Sequence, residues 1–167
     1  MPFRAQRHLT FANFSSRPGS IDARAEGIRL ATRRHSSTSP LLLLAGREGT
    51  GKTHLLHSIV NLAQEYDPLR SSIVLSSLRF TEEVNKGIEF GDLCLFLERF
   101  AREDLLAIDD ADQLFCRPEA ANTLLQILRA RDVSKKRSVL TVTLSGSMKT
   151  DSPLSKYLDS QLAVRLS

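Results

Sequence analysis

An apolar run, Leu41 to Ala45 (LLLLA), passes directly into GREGTGKTHLLHS, residues 46–58. Gly46, four intervening residues, then Gly51, Lys52 and Thr53 fit the pattern GxxxxGK[ST], and the pattern carries weight because a strand precedes it and a helix follows. Glycines allow the backbone to curl, so that the N–H groups of Arg47, Glu48, Gly49 and Thr50 can turn inward on phosphate oxygens. The next helix adds the positive end of its dipole. Lys52 would reach the β and γ phosphates of a nucleotide, and the Thr53 hydroxyl would coordinate Mg²⁺. A loop of this kind sits at the carboxyl edge of a parallel sheet, so the chain is constrained to an α/β fold.

The remaining sequence alternates as that constraint requires. Ser72 to Ser76 (SIVLS), Leu105 to Asp109 (LLAID), Ser138 to Leu144 (SVLTVTL) and Leu162 to Leu166 read as further strands. Between them lie helical patterns over Ser20–Arg33, Lys52–Glu65, Arg79–Lys86, Asp92–Arg102, Pro118–Arg131 and Pro153–Ser160. Leu93, Phe96, Leu97 and Phe100 share one helical face and are expected in the core, and RRHSSTSP, residues 33–40, reads as a polar linker. Strands separated by helices predict a parallel sheet covered on both faces.

LLAIDD supplies the second half of a site. An apolar strand ending in Asp109 and Asp110 delivers two carboxylates to the sheet edge where the phosphate loop lies. Asp109 would hold magnesium, directly or through water, and Asp110 would orient an attacking water, which a small-molecule kinase does not need. Asp112 reads as an exposed acidic turn.

At 167 residues, 41% hydrophobic and 25% charged, the chain suits one domain, 1–167, with residues 1–19 as an amino-terminal segment. No run approaches a membrane span and no secretory signal is evident, so a cytoplasmic protein is expected. Cys94 and Cys116 lack ligand spacing and read as buried reduced thiols. The net charge of +4 favours polyanions only moderately.

The run SPLLLLAGREGTGKTHLLHSIVN resembles the phosphate-loop region of the AAA+ replication-initiator family, which comprises DnaA and its shorter relative Hda. LTFANF, residues 9–14, resembles the segment that opens the AAA+ domain there, and SSLRFTEEV followed by LLAIDD is similar to the same family between the second strand and the Walker B carboxylates. The resemblance implies a three-layer P-loop NTPase core of AAA+ type with a parallel five-stranded sheet in the order 5-1-4-3-2. It implies ATP or ADP with Mg²⁺ as cofactors, Phe11, Asn13 and Phe14 beside the adenine, and a polar sensor at Thr143 or Ser145. Another AAA+ protomer is the implied partner, either the initiator or a second copy.

Departures from the family accompany these matches. The chain ends where a helical lid would follow, so the lid is expected to be absent, and an Hda-like regulator or a fragment fits better than a complete initiator. LSKYLDSQLAV, residues 154–164, resembles the segment that ends in a Ser-Arg pair, but here the pair is Ser160 and Gln161. Weak intrinsic ATP hydrolysis follows, unless Arg165 substitutes for the missing arginine finger. Gln6, Leu9 and Phe11 resemble the QxxLxF peptide that docks on the sliding clamp, although the adenine-side segment claims two of the same residues. Arg117 falls where initiators place a pore residue for single-stranded DNA, and it reads equally as a solvated arginine; any DNA contact is expected to be weak. Lys135, Lys136 and Arg137 read as a solvated basic turn, and His54 and His57 as packing residues. The expected function is regulation or assistance of replication initiation. A helicase-loader or transposition-helper ATPase of the DnaC/IstB kind is the alternative within the class, and a non-catalytic nucleotide-dependent adaptor the alternative outside it.

Overall fold

The structure is a computed structural model and describes residues 4–15, 17–32, 40–144, 151–161 and 163–167. Five strands, β1 (Leu41–Gly46), β2 (Ser72–Ser76), β3 (Leu105–Asp109), β4 (Arg137–Thr143) and β5 (Ala163–Leu166), form one sheet in the order β2-β3-β4-β1-β5. Every pairing is parallel. The helices are α1 (Ile21–Thr32), α2 (Lys52–Tyr66), α3 (Ser77–Phe90), α4 (Leu93–Arg102), α5 (Pro118–Val133) and α6 (Pro153–Asp159).

Alternation along the strands creates three layers. Leu41, Leu43, Ile73, Leu75, Leu106, Ile108 and Leu140 point to one side, where Phe80, Val84, Phe100, Leu124 and Leu128 of the α3 to α5 group cover them. Leu42, Leu44, Val74, Leu105, Ala107 and Val139 point to the other, against Leu30 of α1 and Leu55, Leu56 and Ile59 of α2. The amino-terminal segment joins this second layer through buried Ala5 and Phe14. Of the expected face of α4, Phe100 is in the core and Leu93, Phe96 and Leu97 are half-buried against it, Phe96 tilted onto Phe100 with ring centroids 4.3 Å apart.

Several expectations need correction. Helix α3 extends well beyond Arg79–Lys86, because the Ser76 hydroxyl caps the Arg79 N–H at its start and Gly91, left-handed at φ 73°, ends it. Cys94 and Cys116 are exposed rather than buried. Arg137 is no turn residue: it opens β4, is buried, and donates to the carbonyls of Leu30 and Ala31 at 3.0 and 2.8 Å, satisfying the end of α1. Lys136 pairs with Asp104 at 2.8 Å, which holds that carboxyl below its usual range, and only Lys135 keeps the solvated character expected of the trio. The linker over residues 33–39 and the sensor candidate Ser145 lie outside the described residues.

Candidate nucleotide site

The phosphate loop is shaped by two glycines with positive φ, Gly49 at 77° and Gly51 at 88°. A side chain at Gly49 would meet open space, so its requirement is purely conformational. Gly51 answers to both demands, since a Cβ there would lie 2.9 Å from Cε2 of Phe14. Its carbonyl accepts from Leu55 N–H and so opens α2, whose first turn carries no acidic residue. The uncompensated N–H groups at that end favour an anion. Thr50 Oγ1 and Lys52 Nζ both donate to the Arg47 carbonyl at 2.8 Å, closing the loop on itself.

Across from the loop, β3 presents Asp109 and Asp110. Asp110 adopts the left-handed conformation, φ 54° and ψ 46°, which is costly for a residue with a side chain. Burial pushes its carboxyl above the usual value, aided by Asp109 and Asp112 and opposed by Lys52. Thr141 of β4, fully buried, ties the pair together: its hydroxyl accepts from Asp110 N–H at 2.7 Å and donates to Asp109 Oδ1. Asp112, expected as an exposed turn, is instead buried and accepts from Thr143 N–H at 2.9 Å. Thr143 is thereby fixed at the end of β4, opposite Gly46 of β1.

The cavity enclosed by these elements measures about 570 Å³, and Gly51, Lys52, Thr53, Asp110, Gln113 and Thr143 are on its wall. Glu48 and Gly49 also reach it, whereas Gly46, Arg47 and Thr50 support the loop from behind. Gln113, absent from the expected set, reaches this wall while its Oε1 accepts from Ser77 Oγ at 3.1 Å. Thr53 and the aspartates could hold a hard cation. Among the described residues no group of three acidic, histidine or cysteine side chains is arranged to hold a metal ion by itself, so such an ion would take further ligands from phosphate and water, as Mg²⁺ characteristically does.

Phe11, Asn13 and Phe14 do not line the cavity: Phe14 packs behind the loop at Gly51, Asn13 meets His54 of α2, and Phe11 lies beside Gly27 of α1. Phe14 meets His54 edge-on at 5.3 Å, and Asn13 Oδ1 lies 3.0 Å from His54 Nε2. His57 Nδ1 accepts from Gln6 N–H at 3.1 Å, and Asn61 donates to the carbonyls of Gln6 and Leu9 at 2.9 and 2.8 Å. The two histidines are therefore latches as well as packing residues. Burial lowers the His57 pKa, with smaller contributions from His8 and His54 and an opposing one from Asp109. Because the folded value lies below the ordinary 6.5, the stability that the neutral ring contributes is present above about pH 6.5 and is lost as pH falls from there through the depressed folded value. Urea titrations between pH 8 and 5 should show a slope of at most about 1.4 kcal/mol per pH unit from this single proton. In His57→Asn, which keeps an acceptor without the titration, that slope should flatten; an unchanged slope would exclude His57 as its source.

A parallel sheet in this order, with a phosphate loop after its β1 strand and paired aspartates at the end of β3, defines a P-loop NTPase core of the AAA+ class. Within that class the chain belongs to the bacterial DnaA ATPase domain family, whose model matches residues 5–166. It is 33% identical over 136 residues to the chromosomal replication initiator protein DnaA of Tropheryma whipplei, covering 81% of this chain. It spans only 28% of that relative's length. Domain III of the Thermotoga maritima replication initiation protein DnaA superimposes with a TM-score of 0.87 at 25% identity, covering 98% of this chain and 68% of the other. AMPPCP-bound DnaA from Aquifex aeolicus gives 0.86 at 21% identity over 98% of this chain and 51% of that one, a likeness of fold. No described helix is long and apolar enough to cross a membrane.

Proposed function

We propose that this chain binds ATP with Mg²⁺ between the phosphate loop and the β3 aspartates, and acts as a nucleotide-dependent AAA+ protomer in the control of replication initiation. The observation that carries this reading is the single cavity on which Lys52 and Thr53 of the β1–α2 junction meet Asp110 after β3 and Thr143 of β4. The relative bound to AMPPCP supports a nucleoside triphosphate as the occupant. Lys52 would exchange the Arg47 carbonyl for phosphate oxygens, and Asp110 would orient the attacking water with Thr143 beside it. Magnesium, held by Thr53 and Asp109, would neutralise charge on the phosphates. Phe14 backs the loop at Gly51, with Asn13 on His54 and Phe11 beside Gly27, which is how an adenine-side segment would act on the site. Turnover of labelled ATP by the pure protein, with Asp110→Asn as control, tests the reading; failure to bind ATP at all would reject it.

The partner in this reading is a second AAA+ protomer. Gln161 stands where a neighbour-directed arginine finger is expected, half-buried after α6, with its N–H on the Leu158 carbonyl. A finger contributes about 10³ to 10⁵ in rate through a permanent positive charge, which a neutral amide cannot supply. Arg165, exposed on β5 opposite Ala45, borders the same 340 Å³ hollow as Gln161 and is the alternative donor. Mixed with an initiator, the wild-type chain should leave the initiator's ATP turnover near its basal rate, whereas Gln161→Arg should raise it. Strong stimulation by the wild type, unchanged by that substitution, would exclude the idea. A sliding clamp could dock on this chain through Gln6, Leu9 and Phe11 only at a cost to the amino-terminal packing. Both Leu9 and Phe11 are half-buried, Phe11 against the core, and the Leu9 carbonyl accepts from Asn61, so a clamp could take them only by pulling the segment from α2.

A further inference from the structure

Asp110, just after β3, reaches the cavity by an unusual backbone route, while Asp109 stands behind it at the end of the strand, and a side chain on a different strand bonds to both. Asp109 ends β3 in register with Ser76, and the next residue, Asp110, turns to φ 54°, a left-handed conformation that a residue with a side chain keeps only where its surroundings hold it. The Asp110 carbonyl accepts from Gln113 N–H at 3.0 Å, and its N–H is taken by the Thr141 hydroxyl. That hydroxyl accepts from Asp110 N–H at 2.7 Å, helping to fix the turn, and gives its own proton to Asp109 Oδ1, so both hydroxyl functions are used. Thr141 is completely buried and cannot itself touch a ligand. β4 lies between β3 and β1, so the hydroxyl is held by the strand that also pairs with the root of the phosphate loop.

We infer that Thr141 is the positioning residue of the metal half of the site: by occupying Asp109 Oδ1 and Asp110 N–H together, it leaves Asp109 Oδ2 as the oxygen offered to Mg²⁺ and aims Asp110 into the cavity. The inference rests on the nucleotide-site reading above and deepens it. One hydroxyl thus sets two carboxylates that serve different tasks. Outer partners that orient a ligating carboxylate in this way contribute about 10- to 100-fold to metal affinity. Lys52 and the loop glycines lie outside the hydrogen-bonded unit, so affinity for nucleotide without metal should be independent of Thr141.

The test is a fluorescent ATP analogue titrated onto wild type, Thr141→Ser, Thr141→Ala and Thr141→Val, first in EDTA and then across a Mg²⁺ series. Serine and alanine both lack the methyl group and differ by the hydroxyl alone. The expected result is equal binding in EDTA for all four. The Mg²⁺ concentration for half-maximal tightening should rise about 10- to 100-fold in the alanine and valine variants and return close to wild type in serine. An unchanged Mg²⁺ requirement in alanine and valine would overturn the inference while leaving the nucleotide site standing. So would equal losses in serine and alanine, because they would assign the effect to packing. A wild-type chain that binds no nucleotide would remove both readings. If valine does not fold, the serine and alanine pair decides alone.

Discussion

Lys52→Ala is expected to lower ATP affinity roughly 10²- to 10⁴-fold and to leave the melting temperature within a few degrees of wild type. The magnitude follows from two charge-assisted hydrogen bonds to phosphate, each contributing about 1.5–3 kcal/mol. The small cost to folding follows from the structure: Lys52 is buried, but its ammonium has one protein acceptor, the Arg47 carbonyl at 2.8 Å on an exposed residue, so the variant loses one hydrogen bond and sheds a desolvated charge. Calorimetric titration with ATP and Mg²⁺ measures the first quantity and circular dichroism the second. Equal affinity in variant and wild type would remove the phosphate site from this loop. A variant that fails to fold would show instead that the lysine holds the loop together, a role that the single carbonyl contact does not support.

The largest effect on stability is expected far from the cavity. Arg131 of α5 is almost completely buried and donates from Nε to Ser138 Oγ at 2.8 Å, from Nη1 to the carbonyls of Phe100 and Glu103 at 2.7 and 2.8 Å, and from Nη2 to the Arg137 carbonyl. One guanidinium thus closes the end of α4 and the start of β4. Burial lowers its pKa to about 10, which still leaves it charged at neutral pH. Arg131→Met keeps much of the volume and removes every donor, leaving buried carbonyls without partners at about 1–3 kcal/mol each. The expected loss is about 3–5 kcal/mol, a large share of the 5–15 kcal/mol that a domain usually has. The urea midpoint should fall accordingly, while Ser138→Ala, which removes only one of the acceptors, should lose about 1 kcal/mol. A loss below that in Arg131→Met would mean that the carbonyls find other donors.

What the sequence made legible divides along physical lines. Strands such as LLLLA and SIVLS were readable because a parallel strand buried on both faces is a short unbroken apolar run. The phosphate loop was readable because its chemistry is written in consecutive residues, and LLAIDD because a strand carries its own carboxylates to the sheet edge. The strand order came from family resemblance, since periodicity holds no information about which strands are neighbours. The misread residues act over long separations. Arg137 looked like part of a solvated basic turn, yet its partners are carbonyls of Leu30 and Ala31, more than a hundred positions earlier. Asp112 looked like a surface acid because the Thr143 N–H that it accepts from belongs to β4. Thr141 looked like one more β-branched strand residue, and nothing near it in the chain marks its hydroxyl as the partner of Asp109 and Asp110.

The register of the sheet bears on how the chain is made. β1 sits between β4 and β5, with Leu41 opposite Ser138 and Leu43 opposite Ala163, so both neighbours of the most apolar strand are synthesised about a hundred residues after it. At a ribosome adding about 5–20 residues each second, LLLLA waits for several seconds or more with its backbone unpaired. Contacts of such long sequence separation close slowly, and an exposed apolar strand is prone to the wrong partner in the meantime. Neither neighbour has been made before residue 137, so a nascent chain stalled there would hold the phosphate-loop strand without either of them.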